Sequence, residues 1–299
     1  MKKRSLLKTL QKNKVNYAFI APYFILFITF TVLPVLASVA LSFTYYDVLS
    51  PARFAGFSNY FTLVFEDDVF ITALTNTLVM AVLTGPLGYI LSFVLAWMIN
   101  DLGKTLRVIF VFFIYTPSIS GNMYMVWKLI FSDDANGILN SLLMYFGWID
   151  SSIYWLTDTK YMMTIVVIVQ LWMSMGVGFL SFVAGLQGVD DSLLEAGSID
   201  GIRNRWQELW YVILPSMRPQ LLFGAVTSIS SAFSIGDVTA NLCGMPSTDY
   251  AVHTILNHLN DYGGTRMELG YASAIATVLF FMMVISKNLF TKMLNRIGR

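Results

Sequence analysis

Six long runs of apolar residues alternate along the chain with shorter segments that hold most of the charged residues. An α-helix of about 20 apolar residues is long enough to cross the hydrocarbon core of a membrane. Backbone groups find no water there, so a spanning segment pairs its own N–H and C=O groups in a helix. The pattern predicts an all-α polytopic membrane protein with six transmembrane helices, at about residues 17–44, 71–99, 107–130, 161–186, 217–240 and 269–290.

The basic residues predict how these helices are oriented. Lys and Arg are concentrated in residues 1–16, in the connection before the third run, in the loop at 187–216 and in the tail. The alternate connections hold only Arg53, Lys128, Lys160 and Arg266. Because basic segments remain on the cytoplasmic side, we predict that both termini and the 187–216 loop are cytoplasmic. Residues 17–299 are predicted to form one transmembrane domain after the basic cytoplasmic segment at 1–16.

The composition agrees with a membrane protein and limits its partners. The mean hydropathy is +0.65. Only 12% of the residues are charged, about half the share that is usual in soluble domains. The formal net charge of +1 predicts no nucleic-acid partner. A single cysteine, Cys243, excludes an internal disulfide.

Motifs that carry catalysis or metal binding are absent from the sequence. It contains no HExxH, CxxC or GxSxG pattern. Gly103-Lys104-Thr105 looks like the end of a phosphate-binding loop, but Met98 occupies the position of the required first glycine. His253 and His258 have the wrong spacing for one helical face. We therefore predict no catalytic residues, no metal site and no cofactor bound by this chain.

The 187–216 loop is more structured than a simple connection requires. Ser192, followed three residues later by Glu195, predicts a capping box that opens a short helix. This helix is predicted to end at about Ile199, where the Asp-Gly pair that includes Gly201 predicts a turn. A loop with its own helix is typical of a docking element rather than of a linker.

A second helical segment is predicted at about residues 204–212, closed by Pro215. On the first helix, Leu193, Ala196 and Gly197 share one face. The small residues of that face permit close backbone approach to another surface. Two charged residues and two large aromatic residues that can anchor a partner lie nearby: Arg203, Arg205, Trp206 and Trp210.

Glu195-Ala196-Gly197, then Gly201, then Leu214-Pro215 resembles the EAA loop of ABC importer permeases. In that family the loop forms the coupling helix, which sits in a groove of the ATPase subunit. The usual third residue is alanine, and Gly197 keeps the position small while weakening the helix slightly. The resemblance assigns ATPase coupling to Glu195, Ala196, Gly197, Asp200, Gly201, Arg203, Leu214 and Pro215.

Nearly the whole chain resembles the MalF-like subunit of carbohydrate-uptake permeases of the maltose-transporter type. Similar segments are Ala21-Pro22-Tyr23, Phe54 to Tyr60, Gly137 to Asn140, Ala184 to Gln187, Gly244-Met245-Pro246 and Gly270 to Ala274. The resemblance implies a type I ABC importer permease fold in the bacterial plasma membrane, and family habit implies oligosaccharides as the substrate. It also implies a second permease subunit, two ATPase subunits that use ATP and Mg, an extracytoplasmic sugar-binding protein, and lipid around the spans.

A sugar path needs aromatic faces and hydrogen-bonding groups. Candidates on the spans are Asn122, Tyr124, Gln170, Trp172, Ser174, Ser231, Ser234 and Asp237. Each serine alone is also explained by helix–helix packing, which favours small hydroxyl residues in membranes. Asp237 differs, because an ionisable side chain near a span is usually functional or paired.

Other functions remain open at this point. An ABC permease for another solute, such as a glycerol-phosphate ester or an amino acid, is one alternative. A phosphate substrate would favour basic groups on the path, and the spans offer only Lys128, near an outer end. An ion-coupled secondary transporter would have discontinuous helices and buried carboxylates, of which the sequence indicates few. An intramembrane enzyme would need the nucleophile and metal motifs that are missing. The loop after the fifth run is a candidate contact for the binding protein, with Tyr250, His253, Asn257, His258, Asn260 and Tyr262.

Overall fold

The structure, a computed structural model, describes residues 13–121 and 123–294. Most of the predicted basic segment at 1–16, the path candidate Asn122 and the end of the tail lie outside these ranges. The first helix begins at Lys14, inside the segment that was predicted to precede the membrane domain.

The described chain is mainly helical. One short antiparallel pair, β1 (Thr44–Tyr45) and β2 (Arg53–Phe54), follows the first helix. Residues 205–216 form one helical run with a π-helical segment at its centre. The helices are α1 (Lys14–Leu41), α2 (Ser58–Phe65), α3 (Asp68–Asn100), α4 (Lys104–Ile119), α5 (Tyr124–Ile130), α6 (Ile138–Tyr145), α7 (Thr159–Met173), α8 (Val177–Gln187), α9 (Asp191–Ile199), α10 (205–216), α11 (Arg218–Phe233), α12 (Gly236–Cys243), α13 (Ile255–Asn260) and α14 (Leu269–Leu294).

Four helices are long and apolar enough to cross a membrane, and the count rises to six if two bent pairs are each one span. The four are α1, α3, α11 with α12, and α14. The two pairs are α4 with α5, bent by 94°, and α7 with α8, bent by 43°. The six predicted spans are found if each bent pair is one span, and the third and fourth are then not continuous helices.

Local sequence explains both bends. Pro117 lies near the end of α4, where its ring and missing N–H disfavour helix continuation, and Gly121 follows. In the fourth span, Gly176 has φ −107° and ψ −129°, a non-helical conformation before α8. The prediction of continuous helices at 107–130 and 161–186 is therefore wrong. An apolar run does not show where its helix is broken.

The core of the bundle is built by α3, α8 and α11, with α14 beside them. Near one end, Phe182 packs with Ala96 of α3 and with Met217 before α11. Small residues line the contact between these helices, as is typical inside a membrane. For example, Ser228 Oγ donates a hydrogen bond to the Gly85 carbonyl at 2.8 Å.

The two ends of the bundle carry different connections. We call the end with the 101–103 connection and the 187–216 loop the loop face. The opposite face holds the segments 42–67, 131–158 and 244–268. Asn140 organises part of that face, since its side chain donates to the Ile153 carbonyl at 3.0 Å and accepts from Trp155 Nε1 at 2.9 Å.

The half-buried carboxylate of Asp67 ties α3 to α13 and α14 on the opposite face. Asp67 caps α3 by accepting from Phe70 N at 2.8 Å. The same carboxylate contacts His258 Nε2 at 2.9 Å and accepts from Tyr271 Oη at 2.8 Å. Burial raises the pKa of Asp67, but the hydrogen bonds from His258, Phe70 and Tyr271 outweigh it and lower the pKa to about 2.

Contact of the loop after the fifth span with a binding protein stays a prediction for the exposed Tyr250 and Asn260. It is wrong for His253, Asn257 and His258. These side chains are only 4%, 2% and 2% exposed. Asn257 donates to the Gly236 carbonyl at 2.8 Å and accepts from Thr239 at 2.8 Å. The histidines are core residues of this face, because polar side chains in a loop between spans can fold inwards when partners exist for them.

His253 makes this face sensitive to acid. Burial lowers its pKa to about 4, and neighbouring His258 adds to the shift, while Asp261 and Asp67 oppose it. An unfolded histidine titrates near pH 6.5. As the pH falls, the unfolded chain therefore binds a proton at His253 before the folded chain does. The contribution of His253 to folding stability is complete above about pH 6.5 and is lost as the pH falls to about 4.

We expect the unfolding temperature of the detergent-solubilised protein to decrease between about pH 7 and pH 4.5, as this linkage requires. In His253→Gln the decrease should be smaller, because the variant has no imidazole to protonate. Tryptophan fluorescence during heating measures both slopes. Equal slopes for the two proteins would contradict the role given to His253.

Candidate functional site

Helix α9 of the 187–216 loop begins at a different cap from the one predicted. Asp190 is the N-cap, and its carboxylate accepts a hydrogen bond from Ser192 N at 2.9 Å. This hydrogen bond lowers the pKa of Asp190. The predicted Ser192–Glu195 capping box is wrong, because Asp190 lies earlier and takes the cap position. Glu195 is exposed, and its side chain forms no hydrogen bond or ion pair with the residues that the structure describes.

The predicted end of this helix and the turn after it are confirmed. Helix α9 ends at Ile199, and Asp200 is its C-cap. Gly201 has φ +95°, a conformation that residues with a Cβ rarely adopt. Ile202 N then donates to the Gly197 carbonyl at 3.0 Å, which closes the turn.

The second helical run extends further than predicted. Asn204 caps α10 by accepting from Gln207 N at 2.9 Å, and Gln207 Oε1 accepts from Arg203 N at 2.8 Å. Helical structure continues through the π-helical segment Leu209–Ile213 and through Pro215. The predicted stop at Pro215 is wrong, because this proline occupies the start of a helical segment, where its missing N–H is tolerated.

Helices α9 and α10 enclose an open groove of about 780 Å³. Gly197 is buried against α10, where an added Cβ would lie 2.9 Å from Ile202 Cδ1 and 3.2 Å from Val212 Cγ2. The close approach at Gly197 is therefore to the loop itself, not to another protein. Ala196 is exposed and lines the groove.

Other predicted coupling residues surround the same groove. Asp200, Gly201 and Pro215 line it, whereas Leu214 is half-buried beside Pro215. Arg203 is exposed and forms no ion pair with any described residue. Five of the eight predicted residues therefore line the groove, and Glu195, Arg203 and Leu214 are each next in sequence to a lining residue.

Arg205, rather than Arg203, joins the loop to the helical bundle. Its guanidinium pairs with Asp101, at the end of α3. It also lies over the Trp97 ring at 5.3 Å, and Trp206 packs against Trp97 with ring centroids 5.1 Å apart. Sequence reasoning identified Arg205 and Trp206 as anchors but missed Asp101 and Trp97, which gave no local signal.

The predicted sugar-path residues divide into two groups. Gln170 is buried in α7 and donates to the Ser231 carbonyl at 3.0 Å and to Ser231 Oγ at 3.2 Å. Trp172 packs edge-on against Trp127 at 5.4 Å. The Trp127 indole N–H is buried without a hydrogen-bond partner among the described residues.

The second group lies at the breaks in the spans. Ser174 follows α7 and donates to the Leu171 carbonyl at 2.9 Å. Ser234 and Asp237 are exposed, at the junction of α11 and α12. Tyr124 is half-buried at the start of α5.

The breaks of the third and fourth spans meet. A Cβ added at Gly176 would lie 3.2 Å from Ser118 Cβ, so the two breaks are adjacent. The expectation of few discontinuous helices is therefore wrong. Within residues 13–121 and 123–294, however, no Asp or Glu is among the buried polar residues, so the carboxylates of an ion-coupled site are not seen in the described spans.

Metal ligands do not form a group in the described part of the chain. Across residues 13–121 and 123–294, no three His, Cys, Asp or Glu side chains are arranged to hold an ion. The absence of a metal site and of catalytic residues in the full chain stays a prediction.

Comparison with known proteins identifies the family. Residues 86–297 match the family described as binding-protein-dependent transport system inner membrane component. The probable ABC transporter permease YesP of Bacillus subtilis is 31% identical, with 91% of this chain and 87% of that protein covered. The arabinooligosaccharide permease AraP of Bacillus subtilis is 28% identical, with 92% and 86% covered.

Two further similarities extend this result. The sn-glycerol-3-phosphate permease UgpA of Agrobacterium fabrum is 29% identical, with 91% of this chain and 92% of that protein covered. A chain of a bacterial ABC transporter that imports alginate has the same fold, with a TM-score of 0.78, 23% identity, and 99% and 100% of the two chains covered. The family match covers more than half of the chain, including α9, its groove and the broken fourth span. The chain belongs to the inner-membrane components of binding-protein-dependent transport systems.

Proposed function

We propose that the chain is a permease subunit of an ATP-driven importer of carbohydrates, with oligosaccharides as the substrate class. The observation that carries this proposal is the exposed α9 with its groove, inside a chain of this transport family. Relatives and structural neighbours named for arabinooligosaccharides and alginate support a sugar substrate. Transport is by alternating access, with the sugar crossing where the spans are broken.

The orientation and partners follow from the same proposal. Both termini and the loop face are cytoplasmic, in the plasma membrane of a bacterium. A second permease subunit completes the path, and two ATPase subunits bind ATP and Mg and hydrolyse the nucleotide. An extracytoplasmic sugar-binding protein delivers substrate to the opposite face.

The exposed side chains of the loop support docking of another protein. Leu193 is 47% exposed and Ile199 is 87% exposed, although both are large apolar residues on a short helix. Tyr211 adds a third exposed apolar surface at the groove. An apolar patch with charged residues at its rim is typical of a protein interface. Glu195, Ala196, Asp200 and Arg203 are proposed as the contacts with the ATPase.

The sugar path is proposed at the broken spans. Trp127 and Trp172 offer aromatic faces for a sugar ring. Ser174, Ser234 and Asp237 lie at the breaks. Gln170 and Ser231 already bind each other, so they position the helices around the path.

A phosphate ester is the second candidate substrate, because UgpA is among the relatives. None of the proposed path residues is Lys or Arg, and a phosphate site would favour such groups. This disfavours the phosphate ester for this chain.

The proposal is tested by ATP hydrolysis in proteoliposomes that contain the complete transporter and its binding protein. The panel comprises arabinooligosaccharides, alginate oligosaccharides, lactose and sn-glycerol 3-phosphate. Stimulation of ATP hydrolysis by a sugar-loaded binding protein establishes the function. Stimulation by sn-glycerol 3-phosphate alone would show that the substrate is a phosphate ester and not a sugar. Uptake driven by a proton or sodium gradient without a copurifying ATPase would refute it.

The Glu195 charge is expected to be needed for coupling. Since Glu195 has no described partner within the chain, Glu195→Gln should leave the fold intact. Substrate-stimulated ATP hydrolysis should fall by roughly tenfold or more, because hydrogen bonds to charged groups contribute about 1.5–3 kcal/mol. Asp191→Asn, an exposed acid on the same helix, is the matched control. Normal stimulation in Glu195→Gln would show that the charge is dispensable.

Neighbouring leucine substitutions separate docking from loop folding. Ala196→Leu should block ATPase binding while leaving the loop closed, because Ala196 faces the groove. Gly197→Leu should open the loop, because Ile202 and Val212 leave no space. Overpacking costs about 1–3 kcal/mol, so trypsin cleavage at Arg203 should accelerate only in Gly197→Leu. Copurification of the ATPase with Ala196→Leu would contradict docking at this face.

Asp237 is expected to contact substrate. Asp237→Asn should raise the sugar concentration for half-maximal uptake by about tenfold, the loss of one charged hydrogen bond. Asp150→Asn, exposed on the opposite face, is the control. Unchanged uptake affinity and rate in Asp237→Asn would remove this residue from the path.

A further inference from the structure

The contact between the 187–216 loop and α3 has the form of a latch. Arg205 pairs with Asp101, and its guanidinium carbon lies over the Trp97 ring. Trp206 also packs against Trp97. We call Trp97, Asp101, Arg205 and Trp206 the latch. The Arg205 and Asp101 side chains are 57% and 49% exposed. Exposed ion pairs contribute little to folding stability, so stability alone gives a weak reason for this arrangement.

Helix α3 connects the latch to the opposite face. It is a single helix from Asp68 to Asn100. Near its other end, Asn76 donates to the carbonyls of Tyr250 and His253, each at 3.0 Å. Thr77 Oγ1 accepts from Ile255 N at 2.9 Å. Movement of α3 would therefore move the segment at 250–258.

Polar contacts hold both ends of this helix. Asp101 forms an ion pair with Arg205 at the loop face. At the opposite face, Asp67 contacts His258 Nε2 at 2.9 Å. Packed helices with fixed contacts at both ends transmit displacements, since their cores do not deform continuously.

We propose that the Arg205–Asp101 pair, supported by Trp97, makes α3 move with the coupling loop and so carries its motion to the 250–258 segment. This inference rests on the proposed function and adds a second route besides the direct connections of the loop to α8 and α11. Arg205 and Asp101 are positioning residues, because they touch neither sugar nor nucleotide. Their removal uncouples ATP hydrolysis from transport while the complex still assembles.

The test uses the complete transporter in proteoliposomes, supplied with its binding protein and arabinooligosaccharides, or with the panel compound that stimulates the wild type most. Sugar taken up per ATP hydrolysed is measured for Arg205→Gln, Asp101→Asn and the double variant. A charge swap, Arg205→Asp with Asp101→Arg, is measured beside them. Lys104→Gln is the matched control, because Lys104 is an exposed cation near Asp101 with no ion pair in the described chain.

We expect each single variant to lower the ratio by about 2- to 30-fold, the range for positions on a coupling network. The double variant should be no worse than the singles, because both changes remove the same pair. The swap should recover part of the ratio, and Lys104→Gln should match the wild type. Thermal stability and ATPase copurification should be unchanged in all variants.

Two outcomes would contradict the proposed role of the latch without contradicting the proposed function. One is a wild-type ratio in both single variants. The other is loss of ATPase copurification, which would assign the pair to docking instead. A wild-type complex that no panel compound stimulates refutes the proposed function and this inference together.

Discussion

The hydrocarbon core leaves backbone groups no partner except the protein itself, and this constraint governs where the chain can be irregular. The described spans obey it by placing their breaks against other protein. Gly176 lies beside Ser118, so the open turns of two spans face each other. At the neighbouring junction, the Gln170 side chain supplies a donor for the Ser231 carbonyl, close to where α11 ends. Irregular backbone and polar side chains are thus concentrated in one region, which is also where a polar solute can be accommodated.

The number of spans and the existence of the loop helix could be predicted from sequence, because both depend on local composition. Gly201 could be predicted for the same reason, since an Asp-Gly pair favours a turn with positive φ. Ser192 was misassigned as a cap because Asp190 and Ser192 are both good caps, and only the backbone path selects between them.

The interior contacts could not be predicted in this way. Asp101 and Arg205 lie far apart in sequence, and nothing near either residue indicates the other. His258 resembled an exposed loop residue until Asp67 and Tyr271 provided its partners. The breaks were missed because an apolar run looks the same whether its helix is continuous or bent at Gly176. The role of the loop was predicted from a resemblance in residues rather than from periodicity.

The length of α3 has a consequence for the membrane around it. At 1.5 Å per residue, its 33 residues extend about 50 Å, whereas the hydrocarbon core is about 30 Å thick. The helix therefore tilts, projects into the headgroup layers, or does both. Its charged ends, Asp67 and Asp101, then lie near the water interfaces. A thicker or thinner bilayer changes the tilt of a helix that is fixed at both faces, so the acyl-chain length of the lipid affects how α3 can move.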